Sequence, residues 1–415
     1  MIPREGDEQA RATADAVARR SYGKLVAFLA ARTRDLAAAE DALSEAFASA
    51  LADWPRNGCP RNPEAWLLTV ARRKTIDVFR AARRLPSSSE ELHLMEEALA
   101  TPEQAEIPDD RLAMMFACAH PSIDAGTRAP LILQAVLGLD AKKIASAFLA
   151  SPAAMGKRLV RAKEKIRRAG IPIRVPGREE LPARLDTVLN AVYAAFSEGW
   201  TDPAGADAAR RDLTEEALYL ARLVTELLPE EPEALGLLAL MLHAEARRRA
   251  RRSSSGEFVP LAEQDQHLWG HAQIAEAESL LHRAGSMDRI GRFQLEAAVQ
   301  SAHVDRCRNG TANWPQVAEL YSALYSLTGS PVVLINRALA IAEVSGAAAG
   351  LDAMPDQAAD QRLTEYQPFW AARSELLART GATAEARRAN EIAIGLERDP
   401  AVRQFLERRR AALPE

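Results

Sequence analysis

At 415 residues the chain exceeds what one hydrophobic core usually organises, so two or three domains are expected. It is 48% hydrophobic and 27% charged but 5% aromatic, with Ala, Leu, Arg and Glu recurring at helical spacing, which argues against a sheet-rich protein and predicts an all-α fold. A net charge of −4 excludes a uniformly basic nucleic-acid binder, although the average conceals segregation along the chain.

No stretch approaches the roughly 18 uninterrupted apolar residues of a membrane span, and the N-terminus lacks a signal-peptide core. Cys59, Cys118 and Cys307 are far apart and show no CxxC spacing. A cytoplasmic chain with free thiols, no membrane contact, no metal and no cofactor is the expectation.

Residues 10–84 read as a helical domain that begins with AVARRSYGKLVAFLAARTR. In the next helix Leu36, Leu43, Phe47, Leu51 and Trp54 fall on one face, and Glu40, Asp41 and Glu45 fall elsewhere. From Asp35 to Asp53 there are five acids and no Lys or Arg. PRNGCPRNP reads as a loop, with Asn62 and Pro63 as N-cap and first residue of a third helix. From Trp54 to Arg84 eight bases face two acids, and Thr69, Arg73, Asp77, Arg80 and Arg84 share one helical face. Such a stripe can lie along phosphates, with Trp66 stacking on an unpaired base. The same residues also suit a solvated basic face with Trp66 in the core.

The acidic, Pro-containing stretch 86–109 reads as a linker. Residues 110–174 form a second domain that ends in two helices, DAKKIASAF and PAAMGKRLVRAKEKIRR, the latter capped by Ser151 and seamed by Met155, Leu159, Ala162 and Ile166. Eight bases between Ser151 and Arg174 face Glu164 alone. The pattern is that of a helix-turn-helix whose second helix enters the major groove, or of a plain αα-hairpin. Gly156 in that helix would permit close approach to DNA.

IPIRVPGREELP reads as a second connector, and from residue 183 onward helix follows helix. Aligning SPVVLINRALAIAEVSGAAAGL with FWAARSELLARTGATAEARR places Gly346 against Gly381, close to the tetratricopeptide period of about 34 residues. Cys118 and His120 are too few for a metal site and read as core residues, and His267 with His271 as a helix surface. No phosphate-binding glycine loop, nucleophile elbow or catalytic acid pair appears, so no enzyme is expected.

AAAEDALSEAFASALADWPRNGCPRNPEAWLLTVARRKTIDVFRAARR resembles region 2 of the extracytoplasmic-function branch of the sigma-70 family, and GLDAKKIASAFLASPAAMGKRLVRAKEKIRRAGIPIRVP resembles region 4. FACAHPSID, RLDTVLNAVYAAFSEGW and PEEPEALGLLALMLHAEARRRAR are similar to the group that carries a long tetratricopeptide-like C-terminal extension.

The resemblance implies region 2 over 10–85, region 4 over 110–174 and a helical extension over 183–415. It implies a factor that binds core RNA polymerase, through the β′ clamp helices and the β subunit, and directs it to promoter DNA. Asp41, Ser44, Glu45 and Ala48 are the implied polymerase contacts. Asn57, Asn62, Trp66, Arg72, Arg73, Lys74, Asp77 and Arg80 are implied at the −10 element, and Ala154, Lys157, Arg158, Arg161 and Lys165 at the −35 element. The extension is expected to regulate the factor through a protein partner, since repeat arrays build grooves for peptides and helices.

Overall fold

The structure, a computed structural model, describes residues 5–82, 109–148, 150–177, 179–200, 208–309, 313–357 and 360–413. All regular elements among them are helical, as expected, and one isolated antiparallel bridge joins Arg252 to Phe258. The expected linker lies outside the described residues apart from Asp109. Two compact units divide the chain: one takes residues up to 201 together with 207–220, the other takes 202–206 and 221–415.

The first unit opens with α1 (Glu5–Thr33), α2 (Leu36–Asn57) and α3 (Pro63–Ala82), packed on one another. Asp35 caps α2 by accepting from the Ala38 amide at 3.1 Å, and Asn62 caps α3 through the Ala65 amide at 3.1 Å. Leu25 to Ala30 are all buried, against Leu36, Leu43, Trp54, Leu67 and Leu68. Leu51 departs from the expected apolar face and is 46% exposed, because the buried stripe of α2 is completed by the smaller Ala46 and Ala50.

Then follow α4 (Arg111–Cys118), α5 (Ala125–Leu137), α6 (Ala141–Ala147) and α7 (Pro152–Arg168). Ser151 caps α7 through the Ala154 amide at 3.2 Å, and the buried seam is Met155, Leu159, Ala162 and Ile166 as read from the sequence. Gly156 meets nothing within 4 Å of where a Cβ would stand, so packing within the chain does not require a glycine there. At Gly23 packing does require one: a Cβ on α1 would stand 1.9 Å from the Val136 carbonyl oxygen of α5, so only glycine lets these helices meet.

The unit boundary does not fall at residue 183. Helix α8 (Leu181–Trp200) packs on α4 and α5, burying Leu185, Val188, Leu189, Val192 and Phe196, and Arg184 donates to the Phe116 carbonyl at 2.8 Å. Helix α9 (Ala208–Leu227) belongs to the first unit up to Leu220, and its Tyr219 hydroxyl accepts from Arg111 at 2.5 Å.

The second unit centres on α10 (Pro232–Ala246), buried on all sides from Ala234 to His243, with α11 (His271–Gly285) and α12 (Arg292–Asn309) against it. The Glu233 carboxylate caps α12 from the neighbouring helix, accepting from the amides of Phe293 at 3.0 Å and Gln294 at 3.1 Å. Next come α13 (Trp314–Thr328), α14 (Pro331–Ser345), α15 (Ala347–Asp352), α16 (Gln367–Arg379), α17 (Thr383–Leu396) and α18 (Pro400–Ala411), each packed on its chain neighbour. Gly346 and Gly381, aligned in the sequence, occupy equivalent inter-helix turns with φ of +89° and +83°.

The short hairpin held by the Arg252–Phe258 bridge reaches the last helix. Arg252 pairs with Asp399, Arg408 with Glu257 at 2.6 Å, and the rings of Phe258 and Phe405 meet edge-on at 5.3 Å. His267 and His271 are exposed but do not share a helix: His267 is in a one-turn 3-10 segment and His271 opens α11. Cys118 is buried as expected, whereas His120 is half-buried in a turn and accepts from the Ser122 amide at 3.1 Å. Among the described residues no helix is long and apolar enough to cross a membrane, and no three His, Cys, Asp or Glu side chains group as a metal site would need.

Candidate nucleic-acid interface

On the outer side of α2, Asp41, Ser44, Glu45 and Ala48 are all exposed at spacings that keep them on one face. Their neighbour Glu40 is not: it is turned inward against α7, beside Lys163, with which it makes an ion pair whose side chains are 14% and 10% exposed. Burial pushes the Glu40 carboxyl up and the Lys163 ammonium pulls it back down. The same burial, with the charges of Glu40 and Asp41, drives the Tyr22 hydroxyl well above its usual range.

The −10 residues implied by the resemblance separate into three sets. Arg73 and Asp77 stand exposed on the outer stripe of α3, and the Arg80 side chain lies outside the described residues. Trp66 is half-buried and edge-on to Trp54, with ring centroids 5.5 Å apart. The third set is already engaged within the chain. Arg72 lies over the Phe28 ring at 5.1 Å and Arg32 over the same ring at 3.4 Å, and burial together with the Arg32 charge lowers the Arg72 pKa. Lys74 pairs with Glu45 at 3.0 Å, Asn57 donates to Asp53 at 2.7 Å, and the Asn62 side-chain oxygen is used in its cap.

On α7 the expected face is intact: Lys157, Arg158, Arg161 and Lys165 are exposed opposite the buried seam, with Ala154 half-buried at its edge. Arg158, Arg161 and Lys165 border a depression of about 400 Å³ closed on the other side by Asp124 and Thr127 at the start of α5. Hydrogen bonds from Arg167 and Arg168 hold the Glu164 carboxyl down at about 2, so this acid stays ionised beside the bases. The face concentrates positive charge on one side of one helix, the footprint expected of phosphate binding.

Sequence reasoning missed the Glu40–Lys163 pair. The signal was present in the spacing. Glu40 lies four residues after Leu36 and three before Leu43, and Lys163 four after Leu159 and three before Ile166, so each sits within a buried stripe.

Residues 17–85 match the family described as Sigma-70 region 2, and residues 184–285 match a family of unknown function, DUF6596, which begins within α8. The chain is 38% identical over 369 residues to "Uncharacterized protein R00370" of Rhizobium meliloti, covering 88% of this chain and 87% of that protein. It is 32% identical over 164 residues to "Probable RNA polymerase sigma factor RfaY" of Xanthomonas campestris pv. campestris, covering 35% of this chain and 40% of that protein. No solved structure matches the chain.

Proposed function

We propose that the chain, which belongs to the family of the Rhizobium meliloti protein and matches Sigma-70 region 2 over residues 17–85, is a sigma-70 family factor that binds core RNA polymerase and directs initiation at a defined set of promoters as an extracytoplasmic-function factor. The observation that carries this reading is the pairing, inside the matched region 2, of an exposed acidic face on α2 with a basic, Trp-bearing α3. A stand-alone repressor has no use for that combination.

In this reading Asp41, Ser44, Glu45 and Ala48 dock on the β′ clamp helices. Trp66, Arg73, Lys74 and Asp77 engage the −10 element, with Asn57 and Asn62 shaping the preceding loop and Arg72 bracing α1. Melting is driven by contacts that favour an unstacked base over the duplex. Helices α6 and α7 act as a helix-turn-helix that reads the −35 element through Lys157, Arg158, Arg161 and Lys165, near the β subunit. The polymerase holds both weak DNA contacts at once, which raises the effective concentration of each. The second unit is a tetratricopeptide-like regulatory domain that takes a protein partner, and the factor works in the cytoplasm without enzymatic activity or cofactor.

Purified chain added to core polymerase should yield specific transcripts from the promoter upstream of its own gene. Tight sequence-specific DNA binding without polymerase, and no transcript with it, would overturn the reading.

A further inference from the structure

A cavity of about 550 Å³ lies within the first unit, between α1, α5, α6 and α9, and falls in the size range of small-ligand sites. Ala18 and Tyr22 of α1 line it on one side, Leu137 and Leu139 at the end of α5 on another, and Tyr219 of α9 on a third. None of its lining residues is among those assigned to polymerase or DNA, so neither role accounts for it.

Contacts within the chain hold these walls in place. Gly138 ends α5 with φ of +69°, and a Cβ on it would stand 2.8 Å from the Tyr22 ring, so that ring lies directly against the backbone. The Tyr219 hydroxyl accepts from Arg111 at 2.5 Å. Arg111 is itself anchored by a two-pronged pair with Asp109, at 2.9 and 2.6 Å. The Asp140 carboxylate accepts from the amides of Lys142 and Lys143 at 2.9 and 2.8 Å, which fixes the turn of α6 that carries Lys143. A site preorganised in this way spends little of a ligand's binding energy on ordering its own side chains.

The lining chemistry selects the ligand. Asp109 neutralises Arg111, and Glu216 is already engaged within the chain. Lys143 is exposed at the rim and enters no ion pair among the described residues. One open cation suits a single negative charge. A nucleotide or other polyphosphate needs several open cations or a glycine-rich loop, and the lining supplies neither. The rest of the surface is two phenol rings with aliphatic Ala18, Val136, Leu137 and Leu139, which suits a flat ring.

We propose that this cavity is a binding site for a small aromatic monocarboxylate, with the ring packed against Tyr22 and the leucines and the carboxylate held by Lys143. The site is separate from the exposed face of α2 and the basic face of α7, so its ligand can act as an effector without competing for either. Binding itself needs no polymerase, and its outcome is independent of the sigma reading.

Isothermal titration of the full chain with salicylate, and separately with indole-3-acetate, tests the proposal. At least one should bind saturably, one molecule per chain, with a Kd below about 1 mM. Benzyl alcohol, which keeps a ring and lacks the charge, should bind about tenfold more weakly or worse. Lys143→Met should weaken the carboxylate by about tenfold or more, and Lys143→Arg should retain it, because the charge is kept at an exposed position where the fold tolerates either change. Leu139→Trp, which fills the cavity, should abolish binding. Helicity and the thermal transition of each variant without ligand separate a lost site from a lost fold.

No saturable binding of either carboxylate up to about 10 mM would overturn the proposal. So would binding that is unchanged in Lys143→Met and in well-folded Leu139→Trp, or benzyl alcohol that binds as tightly as the carboxylates.

Discussion

Ending the chain at residue 180 is the obvious way to ask what the C-terminal helices do, and the structure predicts that this cut also damages the helices that carry α7. It removes α8, which buries Leu185, Val188, Leu189, Val192 and Phe196 in the first unit and contacts α4 and α5. At about 2 kcal/mol for each large apolar side chain, the burial lost is on the order of 10 kcal/mol before any relaxation. What remains around α4 to α7, residues 110–174, is of a size whose whole stability is on the order of 3–10 kcal/mol. The cut also frees the Phe116 carbonyl from Arg184 and removes the Tyr219 partner of Arg111.

Hydrogen exchange read peptide by peptide provides the assay. Amides of α4 and α5 should be strongly protected in the full chain and exchange near the unfolded rate in the 1–180 fragment, while α1 and α2 lose less. Equal protection of α4 and α5 in both proteins would refute the assignment of α8 to the first unit. Loss of transcription in such a fragment would then report damage to α4 and α5 as well as the missing C-terminal helices.

Replacing Glu233 by Ala leaves the Phe293 and Gln294 amides at the start of α12 without their acceptor and should cost about 2 kcal/mol, seen as an earlier urea transition of the second unit; an unchanged midpoint would deny the cap its role. Trp66→Ala should reduce transcription from duplex promoters by about tenfold to a hundredfold, the worth of one base–aromatic stack, and spare a template opened in advance; equal loss on both templates would point to docking instead. The Cys118 thiol, pushed up to about 12 by burial, should resist alkylation at pH 8 until the protein unfolds, whereas half-buried Cys59 reacts in the native state. Glu164 should titrate by NMR near 2 in place of 4.5; its folded pKa is depressed, so its pairing with Arg167 and Arg168 stabilises α7 above about pH 4.5 and is lost as pH falls toward 2.

The elements were legible because their punctuation is local. Asp35 and Ser151 as caps, Asn62 with Pro63, and the seam Met155–Leu159–Ala162–Ile166 are all decided within one or two helical turns. What escaped depends on distance along the chain. The Pro-rich run before residue 183 reads as a domain boundary, yet the apolar stripe of α8 finds its complement on α4 and α5. Arg72 flanks the basic stripe of α3, but its guanidinium lies over the ring of Phe28, forty-four residues earlier. Glu40 and Lys163 each sit in a buried stripe, and a lone charge there signals a partner whose identity periodicity cannot supply.

The hairpin at Arg252–Phe258 gives the second unit a property that stacked repeats lack. An open array gains stability repeat by repeat and frays from its ends, because each repeat touches only its neighbours. Here a segment near the beginning of the unit grips its final helix across 147 and 151 residues of sequence, through Asp399 and Arg408. The two termini protect each other, so the unit should lose its structure in one step. A lesion in α18 would be felt first at residue 252.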